Sequence, residues 1–187
     1  LPILNLADFF ADNGISYPPY VVTTAAETNE AYLAGLCDVY TTDASGLAAN
    51  RTTFPDPSAH VILPEIVSKE PLGPVTRQGD EVWGDIVRWT LNAMIIAEEL
   101  GITSDNAAAM AADADASAGV KRLLGVEGGY GAMLGLADDA FLNAISQVGN
   151  YAESFERNVG PDTAVGLDRG LNALWTDGGI LYAPPFR

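Results

Sequence analysis

The chain has 187 residues, 48% of them hydrophobic, and its 25 Asp and Glu against 9 Lys and Arg give a formal net charge of -16 and a pI near 4.1. The composition is that of a globular protein, and the charge excludes nucleic acid and anionic membrane surfaces as partners, because both are bound largely through Lys and Arg. No apolar stretch reaches the roughly 20 residues a bilayer span requires.

LNLADFFADNG (4–14) places Leu6, Phe9 and Phe10 on one side of a helix, with Gly14 as its stop. PYVVTT (19–24) reads as a strand and ETNEAYLAG (27–35) as a helix closed by Gly35. DVYTT (38–42) follows as a strand and ASGLAAN (44–50) as the next helix start. This alternation with short connections is the signature of an open α/β sheet. TFPDPSA (53–59) is a Pro-punctuated loop; HVILP (60–64) and LGPVT (72–76) are further strand candidates on either side of EIVSKEP, an exposed crossover.

From Glu81 the pattern becomes helical. EVWGDIVRWTLNAMIIAEELG sets Val82, Ile86, Trp89 and Ala93 at helical spacing and ends on Gly101. Ser104 is placed to cap a helix over SDNAAAMAADA, and the Ala-, Asp- and Gly-rich tract 107–119 is expected to be mobile. Residues 138–158 give two short helices, with Phe141, Ile145 and Val148 on one face and Tyr151 and Phe155 on the next. GLDRGLNALWTDGG (166–179) repeats the helical spacing through Leu167, Leu171 and Leu174.

Asp43 ends an apparently buried strand, where open α/β sheets present their ligand sites and where helix N-termini point free N–H groups. It can serve as the cap of the following helix or as a ligand group, and the two roles are compatible because a carboxylate has several lone-pair sites. GVEGGYGAMLG (125–135) lacks the preceding strand that a dinucleotide fingerprint needs and is read as a loop. Asn50-Arg51-Thr52 matches a glycosylation acceptor but falls where a helix is expected. The single histidine, His60, is read as a surface residue on an edge strand, and no G-x-S-x-G nucleophile elbow accompanies it. Asp138 and Asp139 read as helix-capping carboxylates, and Trp83, Trp89, Tyr151 and Trp175 as core. With one cysteine, Cys37, the chain offers neither an internal disulfide nor a Cys-based zinc site, and no catalytic, metal or cofactor constellation is found.

AGLCDVYTTDASGLAANR, ILPEIVSKEPLGPVTRQGD, VGNYAESFERNVGP and NALWTDGGILYAPPFR resemble, in sequence and order, the periplasmic solute-binding proteins of polar amino-acid ABC transporters, in their general L-amino-acid branch. The resemblance runs over essentially the whole chain. It implies an α/β, two-lobed type II binding-protein fold that closes on a free L-amino acid and delivers it to an ABC permease in the inner membrane. It further implies an incomplete fold with most of the first lobe's N-terminal part absent, because Leu1-Pro2-Ile3 do not match the loop that opens the second lobe's ligand contacts. Residues 1–66 would be part of the second lobe, and residues 67–187 the C-terminal part of the first lobe plus a helical extension. The missing portion would then come from another chain or a swapped copy, or the sequence would cover only part of the protein.

On the same resemblance, Asp43 receives the ligand's α-ammonium, and Thr42 and Thr41 contact its side chain. Leu36 stands where relatives carry Arg, and the strand bearing the disulfide partner of Cys37 would be missing. Two alternatives accompany this reading: an enzyme on the same scaffold, like the cyclic-acid dehydratases, and a piece that no longer binds ligand.

Overall fold

The computed structural model describes residues 2–69 and 71–187, leaving Glu70 of the EIVSKEP crossover and Leu1 outside the described residues. The chain divides into two compact units, Leu1–Leu72 and Gly73–Arg187.

In the first unit, three helices follow the expected order. Helix α1 spans Pro2–Asp12, and Gly14 takes the left-handed conformation just beyond it. Helix α2 spans Ala25–Leu33 and opens with a capping box: Thr24 accepts from the backbone of Glu27, and the Glu27 carboxylate accepts from the backbone of Thr23 and Thr24. Helix α3 spans Ala44–Thr52. Ala31, Ala48 and Phe54 are the buried apolar residues of this unit.

The strands expected at 19–24, 38–42, 60–64 and 72–76 are not found. Among the described residues of these segments there is no β-ladder, and the bridge recorded in the chain is an isolated one between Leu174 and Leu181. Their β-branched and apolar residues lie open instead: Val21, Val39, Val61, Leu63, Leu72 and Val75 are all exposed, Val75 to 95%. A strand exists only when another pairs with its backbone, so strand composition without a neighbouring strand leaves an irregular segment.

The second unit holds the principal core. Helix α4, Glu81–Glu99, is capped by the Asp80 carboxylate, which accepts from the backbone N–H of Trp83, and it stops at Gly101 in the left-handed conformation. Around it lie α5 (Ala107–Ala112), α6 (Ala118–Leu123), α7 (Tyr130–Met133), α8 (Ala140–Val148) and α9 (Tyr151–Val159). Ile102, Leu123, Leu124, Phe141 and Ile145 are its most completely buried large side chains. Each contributes about 1.5–3 kcal/mol through the apolar surface it withdraws from water. Phe186, near the C-terminus, meets the rings of Trp89, Tyr130 and Phe141 edge to face, and its carbonyl accepts from Arg122 Nε at 2.7 Å.

Several expectations for this unit need correction. The tract 107–119, expected to be mobile, contributes to α5 and α6 and buries Ala107 completely, because alanine is a strong helix former once a core lies beneath it. Ser104 does not cap α5; its N–H and hydroxyl both donate to Glu153 of α9. Residues 166–179 form two single 3₁₀ turns, Gly170–Asn172 and Trp175–Asp177, because Gly166, Gly170 and Gly178 all adopt positive φ. Trp83 and Trp175 are half exposed, leaving Trp89 and Tyr151 packed against the core. Asp138 accepts from the backbone of Ala132 in the neighbouring turn, and Asp139 makes no side-chain capping bond.

Candidate functional site

Asp43 stands at the junction between the irregular segment 37–42 and α3. Its backbone is extended (φ -60°, ψ 148°) and its carboxylate accepts from the Gly46 N–H at 2.7 Å, so the capping role is met. The Ser45 hydroxyl donates to the same carboxylate at 2.6 Å and the Thr42 hydroxyl at 3.3 Å. A Cβ at position 46 would press on the Asp43 carboxylate and ask that side chain to shift.

The Ser45 hydrogen bond is the main reason that Asp43 ionises below the ordinary carboxylate range; bonds from Gly46 and Thr42 act in the same direction, and partial burial opposes them. The group is therefore an anion at neutral pH, half-buried, at the positive end of a helix. Three of its roughly four lone-pair directions are taken by short-range donors. Thr41 and Thr42 are half-buried beside it.

Tyr40, three residues before Asp43, belongs to a separate line of hydrogen bonds between α2 and α3. Tyr40 accepts at Oη from Asn50 Nδ2 of α3 at 3.3 Å, and Asn29 Nδ2 of α2 donates to Asn50 Oδ1 at 3.4 Å. The phenol of Tyr40 ionises above its ordinary range, through burial first and the charge of Asp43 second. Tyr32 lies against Tyr40 and Phe54, and its hydroxyl is 2.8 Å from His60 Nδ1. His60 is thus a half-buried member of an aromatic cluster rather than the expected surface residue, because its ring packs against those of Phe54 and Tyr32.

The linear reading finds Asp43, Thr42 and Thr41 but not Tyr40, Asn50 or Asn29. No local signal marks the last three: Asp43 precedes α3 with extended backbone, and Asn50 sits in its last turn. As a glycosylation acceptor Asn50 is poorly placed, its amide being held between α2 and Tyr40 inside a helix.

Cys37 is a half-buried free thiol. Among the described residues no group of three or more His, Cys, Asp or Glu gathers in a way that could hold a metal ion. In the second unit, a cavity of about 210 Å³ is lined mainly by apolar and aromatic residues, among them Trp89, Met133, Leu134 and Phe141, with Arg187 also on its wall.

No family model matches the chain. The glutamate/glutamine/aspartate/asparagine-binding protein BztA of Rhodobacter capsulatus is 54% identical over 184 residues, which are 98% of this chain and 54% of that protein. The general L-amino acid-binding periplasmic protein AapJ of Rhizobium johnstonii is 53% identical over 186 residues, again 98% of this chain and 54% of the relative. The putative amino-acid ABC transporter-binding protein YhdW of Escherichia coli is 48% identical over 184 residues, with the same two shares. A solved ABC transporter periplasmic binding protein from Brucella ovis, with glutathione bound, superposes with a TM-score of 0.91 at 47% identity, covering 100% of this chain and 58% of that one. The chain spans about half the length of the relatives it matches. No helix among the described residues is long and apolar enough to cross a membrane. Along nearly every residue, then, this chain is homologous to amino-acid-binding periplasmic proteins of ABC transporters, and its fold is that found in a periplasmic binding protein.

Proposed function

We propose that the chain is part of the substrate-binding component of an amino-acid ABC transporter, which captures L-amino acids in the periplasm and delivers them to an inner-membrane permease. The observation that carries this reading is the 54% identity to a binding protein along 98% of the chain; the ionised, half-buried Asp43 suits the proposed ligand contact. Asp43 pairs with the ligand α-ammonium, and exclusion of water on closure strengthens that charge-assisted bond. The hydroxyls of Thr42 and Thr41 contact the ligand side chain, each able to donate or accept.

The ligands named for BztA form one chemical class within the L-amino acids for which AapJ is named. Glutamate, glutamine, aspartate and asparagine share an α-amino-acid head on a short chain ending in carboxylate or carboxamide. The glutamyl end of glutathione, bound by the Brucella ovis protein, carries the same head on a substituted amide. We read the ligands of this site as members of that class.

In the fuller architecture, residues 1–66 belong to the second lobe of a two-lobed fold, and residues 67–187 to the first lobe and a helical extension. The open apolar segments around Val39, Val61 and Val75 then pair with strands from outside the described chain. An enzymatic role on the same scaffold is disfavoured: the relatives are named as binding proteins, and His60, the sole histidine, is engaged by Tyr32.

The test is calorimetry with a panel of L-amino acids. A binding heat abolished by Asp43→Ala supports the reading, and a folded protein giving no heat with any amino acid overturns it.

A further inference from the structure

The donors that reach the Asp43 carboxylate are unevenly divided between its two oxygens. Oδ2 accepts from the Ser45 hydroxyl at 2.6 Å and from the Gly46 N–H at 2.7 Å, whereas Oδ1, among the described residues, accepts only from the Thr42 hydroxyl at 3.3 Å. The first two bonds are short, as bonds to an ionised acceptor are, and the third is long. One oxygen is therefore saturated while the other keeps room for a further donor, because each carboxylate oxygen offers two lone pairs. The space beside Oδ1 is also clear: residue 46 is glycine, and a Cβ there would meet Oδ1 first, at 2.9 Å.

A helix cap needs one acceptor bond, and the Gly46 N–H supplies it. Ser45 adds a second donor that the cap does not require. The torsion about the Cβ–Cγ bond of aspartate is soft, so a single bond from Gly46 leaves the plane of the carboxylate free to turn. A hydroxyl arriving at the same oxygen from a second direction fixes that plane, and with it the direction in which Oδ1 points. Ser45 is itself exposed in the first turn of α3, so its side chain fills no core.

We propose that Ser45 is a positioning residue of the ligand site: together with the Gly46 N–H it holds Oδ2 of Asp43, and so presents Oδ1 to the α-ammonium of the amino acid. The inference rests on the amino-acid-binding reading above, and it assigns the two functions of Asp43 to different oxygens, the cap to Oδ2 and the ligand to Oδ1. The carboxylate then meets the ligand already oriented, and the ordering that a free side chain would undergo on binding has taken place beforehand. The arriving ammonium displaces at most the long Thr42 bond, so the helix cap is kept in the bound state.

The experiment follows affinity by calorimetry from neutral to acidic pH in the wild type, Ser45→Ala and Ser45→Thr, with circular dichroism confirming that each stays folded. The ligand is glutamine, whose side chain does not titrate, or the tightest-binding amino acid with an uncharged side chain where glutamine does not bind. Ser45→Ala should weaken binding about threefold to tenfold at neutral pH, the cost of ordering one side chain. The Ser45 hydroxyl is the largest of the influences that hold Asp43 below the ordinary carboxylate range. Without it the carboxyl takes up its proton at a higher pH, and the acid limb of the binding profile should move upward. Tyr40, the titratable neighbour that senses the Asp43 charge, stays protonated throughout and adds no limb of its own. Ser45→Thr keeps the hydroxyl and should restore both the affinity and the acid limb. An unchanged affinity, a weakening with the acid limb in place, or a Ser45→Thr variant that behaves like Ser45→Ala overturns the positioning role. A wild type that binds no amino acid defeats the proposed function and this inference together; a wild type that binds, beside an unaltered Ser45→Ala, defeats the inference alone.

Discussion

Arg169 Nη2 lies 2.9 and 3.1 Å from the two carboxylate oxygens of Glu98, joining the segment after α9 to the last turn of α4. The guanidinium also sits over the rings of Tyr151 and Phe155 at 5.4 and 5.3 Å and donates to the Asn172 carbonyl. With side chains only 18% and 14% exposed, the pair is held where an unpartnered charge is costly. Glu98→Gln should lower stability by roughly 2–3 kcal/mol, below the loss at fully buried pairs because some solvent still reaches the site. Removing both charges as Glu98→Leu with Arg169→Met should cost less than Glu98→Leu alone, as read by urea unfolding.

Asp43 combines a helix cap with the proposed ammonium contact, and the two separate by substitution. Asp43→Asn keeps an oxygen that can accept from Gly46, so the thermal midpoint should hardly move, while amino-acid affinity should fall about tenfold or more with the charge-assisted bond. Asp43→Ala should lose both, with about 1 kcal/mol of stability going with the cap. Equal affinity in the wild type and Asp43→Asn would remove the ammonium role.

Glu153 gives a pH dependence. Burial would raise its pKa, but hydrogen bonds from the Ser104 hydroxyl and from the backbone of Asn150 and Ser104 outweigh it, and the carboxyl ionises below the ordinary glutamate range. A depressed folded-state pKa contributes stability that is present above the unfolded value and lost as pH falls through the folded one. The wild type should therefore lose stability across the acidic side of the glutamate range, and Glu153→Gln should be less stable at neutral pH with a flatter profile there. Denaturant unfolding at a series of pH values checks the sign.

Gly125 adopts φ +75°, and a Cβ there would collide with the Asp138 carbonyl. Gly125→Ala combines a strained backbone with a backbone clash and should cost more than about 1 kcal/mol, measured by thermal unfolding. The same substitution at Gly135, positive in φ with open space around it, should cost less.

The helices were legible because their signals are local. Thr24 with Glu27, Asp80 ahead of Glu81, and Asn150 with Glu153 each sit within one turn of the ends they define. The periodic apolar positions mark the packed faces of α4 and α8 only in part: Ala93, Phe141 and Ile145 are buried, while Val82 and Val148 lie exposed. Residues 166–179 misled because periodic leucines outweighed the glycines on inspection, whereas in the folded chain Gly170 and Gly178 interrupt the helix.

By itself the sequence determined helices α1 to α4, α8 and α9, the acidic charge and the placing of Asp43 at the head of α3, because each depends on residues a few positions apart, whereas α7 lies in the stretch 125–135 read as a loop. Tertiary structure alone decided that the strand-like runs carry no ladder among the described residues, that His60 packs with Tyr32 and Phe54, and that Asn29, Asn50 and Tyr40 meet. Those outcomes depend on which distant segments come to lie side by side. A hydrogen bond between α2 and α3, 21 residues apart, leaves no periodic trace in the chain.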